Sequence, residues 1–423
     1  MEDILDLSAD NPVKPFLAPE LHRLVAYKTY RRRWYLLGVI CLLNCSSAML
    51  WLSFAPVADK TADYFQCSPT EVNWLSLVYL IITIPFGLVT SWILDTTGLK
   101  FSVILSSWLN MIGSVIRFLS TVDFIAQGSS RYVCLLIGQC FCAAAQPLVL
   151  FSPTKLAALW FPEHQRAIAN MISSMSNPLG VLIANLLSPS IVQEKKYIPL
   201  MLGLYAVPAV VACILASVGI CEKVPPVPPS ASSINSASEP FISGLKKLMR
   251  NKAYIILTVC FGAGIGIFTC FSALLEQFLC VMEYSNASQL RNQIILLAVV
   301  CSLFGLFGFS IYPICMELSV ECSYPVGEGT STGLIFISGQ IQGVIYLVVF
   351  QVLARPLSDI IFATCNVAGV DPLDWKVPIL AMAGICSFGA CCFVLFFHTD
   401  YKRLRADTSG ISVNRTEREA ATS

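Results

Sequence analysis

Polar side chains recur seven residues apart inside apolar runs: Asn44 and Trp51, Gln139 and Gln146, Asn170 and Asn177. Seven residues is two helical turns, so each pair shares a face. An amide in hydrocarbon is costly unless it meets a polar group, so each must face a neighbouring helix, water or a solute. Two roles are open to these stripes. One is interhelical hydrogen bonding, worth roughly 0.6–2 kcal/mol per amide. The other is the polar lining of a central cavity. The Trp51 indole adds a face that holds a quaternary ammonium with ~2 kcal/mol when desolvated. This chemistry is recognition rather than bond making. No nucleophile–base pair, phosphate-binding glycine loop or Cys/His metal spacing is evident, so neither an enzyme nor a cofactor is expected. His22, His164 and His398 all fall at span ends or beyond, leaving no imidazole at mid-bilayer for a haem iron.

The elements that position these residues are membrane helices. Of 423 residues 56% are hydrophobic and 13% charged, and mean hydropathy is +0.71, which fits an all-α polytopic membrane protein. A net charge of +1 excludes a nucleic-acid partner. Apolar runs of about 20 residues predict spans at 34–57, 72–94, 99–119, 132–152, 167–191 and 197–221. A Pro/Ser-rich linker with a basic amphipathic end follows at 222–252; it either lies on the inner leaflet or is a plain tether. Four further spans are predicted at 253–280, 292–315, 331–353 and 376–398. The domains are thus a tail (1–33), a six-helix bundle (34–221), the linker, a four-span bundle (253–398) and a second tail (399–423).

Lys and Arg concentrate in alternate loops, which puts both termini in the cytosol. Asn286, in an Asn-Ala-Ser sequon, then becomes a glycosylation candidate outside. Most of the 18 cysteines fall inside apolar runs as small hydrophobes; only Cys67 and Cys365 sit in outer loops where a bridge is conceivable. Charges within spans are few; Arg117 and Glu276 stand near the ends of the third and seventh. Glu276 either meets a cation or proton or is a solvated helix end.

A short turn, Asp95-Thr-Thr-Gly98-Leu-Lys100, joins the second and third spans. The glycine permits the reversal, and the acid and base can form a latch that breaks when the halves rock. Farther on, Glu317, Glu321 and Glu328 lie in a loop without Lys or Arg. Glu317 and Glu321 share a helical face and are read as the acceptor side of the same gate, opposite Lys155 or Arg166; a solvated acidic loop is the alternative.

The turn resembles the signature loop of the major facilitator superfamily, with Ser91 and Leu99 departing from the pattern. "NWLSLVYL", "AQPLVLFSPTKLAALWFPEHQRA", "SMSNPLGVLIANLLSP" and "MELSVECSYPVGEGTSTGL" resemble solute carrier family 49, the feline leukaemia virus subgroup C receptor-related transporters, and its orphan branch in particular. That resemblance implies alternating-access transport, facilitated or exchange, of a small organic solute: a choline-like amine, a vitamin-like compound or haem. It implies Trp51 and Gln146 as central-site residues, and the polar stripes put Asn44, Gln139 and Asn177 in the same cavity. Thr269 stands where choline-transporting members offer an aromatic, with Phe268 and Phe271 beside it. The expected location is the plasma membrane, with the lysosomal membrane as alternative. Twelve spans are expected of such a chain, and here the seventh passes straight into what resembles the tenth, as in an alternative transcript or an incomplete gene model. A shortened form acting as receptor, or as partner in an oligomer with the full-length form, is therefore the competing reading.

Overall fold

A computed structural model of the chain describes residues 28–122, 128, 130–230, 233, 240–282, 290–356, 373–406 and 408. Six long helices form the first half: α1 (Arg32–Leu52), α3 (Pro69–Thr96), α4 (Leu99–Leu119), α5 (Ser130–Leu150), α7 (Glu163–Ile191) and α8 (Ile198–Gly219). Two short ones lie between them, α2 (Ala58–Phe65) and α6 (Ser152–Trp160). The second half has α9 (Phe241–Arg250), which is short, and α10 (Lys252–Met282), α11 (Leu290–Ser323), α12 (Glu328–Leu353) and α13 (Lys376–Phe396). Two-residue strands, β1 (Arg355–Pro356) and β2 (Leu373–Asp374), pair antiparallel between α12 and α13. Nine described helical stretches have the length and apolarity to cross a membrane, and α11, at 34 residues, is a further long helix.

Local chemistry sets the ends. Ser68 opens α3 with a reciprocal cap: its hydroxyl accepts the Glu71 N–H, the Glu71 carboxylate accepts the Ser68 N–H, and Pro69 fills the first turn. Gly98 (φ +93°) makes the reversal into α4. Pro56 cannot extend α1, which gives way to a short 3-10 turn at Ala55–Val57.

The acidic segment near residue 320 departs from expectation. Glu317 and Glu321 lie within α11, and the loop shrinks to Tyr324–Gly327.

The halves meet where α3 runs against α12. A Cβ on Gly333 would fall on the Ser91 hydroxyl, and one on Gly327 on the Asp95 carboxylate. Small residues here let two backbones approach closely, as helix pairs in membranes require.

Candidate solute cavity and ionic latch

A cavity of about 590 Å³ lies between the halves. The first half contributes Trp51 (α1), Tyr79 and Thr83 (α3), Gln146 (α5) and Asn177 (α7); the second contributes Phe268 and Thr269 (α10), Tyr312 (α11), and Phe336 and Gln340 (α12). Trp51, Gln146, Asn177 and Thr269, all singled out from sequence, therefore share one space. Four lining residues each hold a buried polar atom without a hydrogen-bond partner: Trp51 Nε1, Tyr79 Oη, Thr83 Oγ1 and Gln340 Oε1. Buried polar groups are nearly always paired, so these atoms leave unused hydrogen-bonding capacity in the cavity wall. Thr269 instead donates to the Ile265 carbonyl within its own helix.

Three expected lining residues are elsewhere. Asn44 is fully buried and donates to the Ser173 carbonyl. Gln139, also fully buried, donates to the Leu75 carbonyl. Both are interhelical ties, the other role open to an amide stripe. Phe271 packs on a cluster with Cys270, Phe350 and Trp375. Asn177 does both: it lines the cavity and donates to the Asn44 carbonyl at 3.5 Å.

One end of the cavity is sealed. Phe151 stacks on Phe336 (centroids 5.5 Å, 20°), and Tyr312 meets the same Phe336 edge-on at 5.7 Å. Beyond that aromatic layer sits a buried ion cluster. Lys155 Nζ (α6) lies 2.8 Å from Glu328 Oε2 (α12) and 3.3 Å from Asp95 Oδ1 (α3). Asp95 also accepts the Gly329 N–H at 3.1 Å, the Thr330 N–H at 2.7 Å and the Thr330 hydroxyl at 2.6 Å. The acid thus sits on the open N–H groups at the start of α12, where the helix dipole is positive. Side-chain exposure is 3% for Lys155, 9% for Asp95 and 3% for Glu328, so the charges are held by one another rather than by water.

Several gating expectations are corrected by this geometry. Lys100 points away from Asp95 and donates to the Cys221 carbonyl at 2.7 Å. Glu317 pairs with Arg403 at 3.5 Å, and Glu321 accepts the Leu404 N–H, so both tie down the chain after α13 and neither reaches Lys155. Arg166 bonds the Phe161 carbonyl and the Ser230 hydroxyl of the linker, and its charge also acts on Glu321, as the alternative pairing expected. The acid opposite Lys155 is Glu328, on the first turn of α12. Sequence spacing favoured the Glu317/Glu321 pair because it assumed that the segment was a loop.

Arg117 is fully buried in the first half. Its guanidinium donates to the Leu50 carbonyl at 2.9 Å and to Ser53 Oγ, and lies 4.8 Å from the Phe54 ring. Where α1 stops, its last carbonyls lack partners, and a cation there is favourable. Tyr79, Thr83, Tyr312 and Gln340 escaped the sequence reading; the first two lie four apart on α3, a weak signal that only the fold makes legible.

Asn286 lies outside the described residues, as do Cys365 and the Glu276 side chain; Cys67 carries a free thiol. Among the described residues no His/Cys/Asp/Glu group has a metal-holding arrangement.

Comparison with known proteins agrees with this architecture. Residues 40–401 match the family model of the Major Facilitator Superfamily. Solute carrier family 49 member A3 of Xenopus tropicalis is 53% identical, with 90% of each chain covered. That of Danio rerio is 47% identical over 95% of each. A choline/ethanolamine transporter of Danio rerio, flvcr2a, is 26% identical, covering 81% of this chain and 85% of its own. Among solved structures, the proton:xylose symporter XylE superposes with a TM-score of 0.63 at 13% identity, covering 88% of this chain and 98% of its own. FucP in its outward conformation gives 0.54 at 15%, covering 86% and 99%.

The frog alignment runs over 436 positions yet covers 90% of these 423 residues, about 381, leaving about 55 positions without a counterpart here. The zebrafish alignment, 454 positions over 95% of the chain or about 402 residues, leaves about 52. The chain is a multi-pass membrane protein of the major facilitator superfamily and belongs to solute carrier family 49.

Proposed function

We propose that this chain moves a small organic solute across the membrane by alternating access, as facilitated or exchange transport. The observation that carries the reading is the conjunction of an inter-half cavity, holding unpaired polar atoms, with a buried ion cluster bridging the halves at its sealed end. Rocking exposes the cavity to one side and then the other when such a cluster parts. Trp51 and Gln146 are the first contacts, with Asn177, Tyr79 and Gln340 around them, and Thr269 at the rim. Asp95, Lys155 and Glu328 form the gate, and Gly98 sets the turn that presents Asp95.

The solute is a choline-like amine or an uncharged vitamin-like compound. The aromatic lining of Trp51, Tyr79, Phe268 and Tyr312 supports an amine through cation–π attraction, and so do the relatives named as choline/ethanolamine transporters. Haem finds less support, since no histidine among the described residues lines the cavity. Among the described residues the lining carries no acid of the kind a symported proton would need. Both termini face the cytosol, and the plasma membrane is the site of action, with the lysosomal membrane as the alternative. Uptake of labelled choline, ethanolamine and pyridoxine into proteoliposomes tests this. Trp51→Ala should cut uptake of the accepted solute at least tenfold, and equal uptake would remove Trp51 from the site.

A second reading draws on the roughly 55 unmatched positions. A span needs about 20 residues, so the deficit equals two spans and their loop. A ten-span form could then act as a receptor or as partner of the full-length transporter. Co-purification of the two forms, with uptake by the longer one alone, would favour that role.

A further inference from the structure

Helix α9 carries no acid and, with the residue after its closing Asn251, four bases: Lys246, Lys247, Arg250 and Lys252. It has two apolar stripes. Gly244 and Leu248, four apart, are buried, and a Cβ on Gly244 would meet Val326 at 2.9 Å. Ile242 and Met249, seven apart, are 66% and 62% exposed on the side where Lys246 and Arg250 are also exposed. A helix with bases beside bare apolar side chains, placed where the next span begins, suits the headgroup boundary of a bilayer.

The buried stripe connects α9 to the gate. Val326 stands two residues before Glu328 in the four-residue loop that starts α12. Asn251, between α9 and α10, donates to the Cys322 carbonyl on the other side of that loop at 2.9 Å. Tyr254, on the first turn of α10, donates to the Ser331 carbonyl at 2.6 Å. The helix also touches α3, which bears Asp95. It therefore contacts both halves at the point where the ion cluster joins them.

We infer that anionic phospholipid binds the exposed face of α9, headgroups on Lys246 and Arg250 and acyl region around Ile242 and Met249, and thereby holds the Asp95–Lys155–Glu328 cluster closed. The occupant follows from charge complementarity: four bases without an acid attract an anionic leaflet, and the intervening apolar pair enters the bilayer as no soluble anion requires. A lipid shifts the gate only through a difference between states. Here the difference is the contact of α9 with α3, which crosses from the second half to the first while α12 is docked on α3.

The inference rests on the cluster being the gate, and its test needs no transported solute. The full chain is reconstituted in phosphatidylcholine vesicles, with or without phosphatidylserine, and backbone hydrogen exchange is followed over α9 and over Val326–Thr332. Phosphatidylserine should slow exchange severalfold in both segments. The double substitution Lys246→Gln and Arg250→Gln should abolish that slowing while leaving exchange in phosphatidylcholine unchanged, which also shows that the variant is folded. Soluble glycerophosphoserine should have no effect. Unaltered exchange on adding phosphatidylserine, an undiminished response in the variant, or an equal effect of the soluble headgroup overturns the inference. Trp51-dependent uptake that persists in those cases leaves the transport reading standing.

Discussion

Lys155 and Glu328 are 173 residues apart in sequence and 2.8 Å apart in space, each on a different half of the molecule. A buried ion pair is a poor source of stability but a specific one, because either partner alone is an uncompensated charge.

Lys155→Met leaves Asp95 and Glu328 without the ammonium they share, although the Arg403 charge still acts on Glu328. We expect a loss of ~3–5 kcal/mol, the usual cost of breaking a buried pair from one side. Adding Glu328→Gln should recover part of it, since one carboxylate then remains and it still has the α12 amides. Thermal unfolding in detergent of the two single variants and the double variant gives the coupling; simple additivity would dissolve the pairing.

Filling the cavity should stop transport without harming the fold. No heavy atom comes within 4 Å of a Cβ built on Gly264, Gly308 or Gly389, three residues of the cavity wall. Gly264→Trp should abolish uptake with little change in melting temperature. Undiminished uptake would place the solute path elsewhere.

Asn44 and Asn177 carry the same side chain one stripe apart and should behave differently. Asn44→Ala removes a buried tie to the Ser173 carbonyl, expected to cost ~1 kcal/mol and to leave the affinity of the solute unchanged. Asn177→Ala should raise KM for the solute more than it lowers stability. The two are separated by measuring melting and uptake on the same preparations; identical profiles would refute the division.

Arg117→Met removes a cation together with its bonds to α1. The Leu50 carbonyl and the Ser53 hydroxyl lose the guanidinium donor at a buried helix end and keep the bond between them at 3.1 Å, for which ~1–3 kcal/mol is expected. Arg117→Lys should recover little, because one ammonium cannot span both acceptors and the Phe54 face. The melting temperatures of the two variants decide this.

Helix boundaries were legible because apolar runs and prolines act locally. The span predicted at 197–221 is helical over Ile198–Gly219, and that predicted at 376–398 over Lys376–Phe396. The amide stripes were legible as stripes, but a period of seven cannot say which neighbour the face meets. Asn44 and Asn177 satisfy the same rule and end in different surroundings. The gate acid was misplaced for a related reason. Glu317, Glu321 and Glu328 look alike in sequence, and the selection among them depends on where α11 stops; Pro325 and Gly327 mark that end, so the break falls between Glu321 and Glu328. Tyr79 and Thr83 lie in a run with no punctuation, and only their placement opposite α12 gives them a part.

Arg117 places a guanidinium cation inside the first half, and none of the partners described above is an acid. Its contacts at Leu50 and Ser53 flank Trp51 in the chain. A charged amine approaching that indole meets attraction from the ring face and repulsion from behind it, whereas an electrically neutral guest feels only the ring. Discrimination between the two should accordingly weaken in an Arg117 variant that still folds, making a residue outside the wall a tuner of valence.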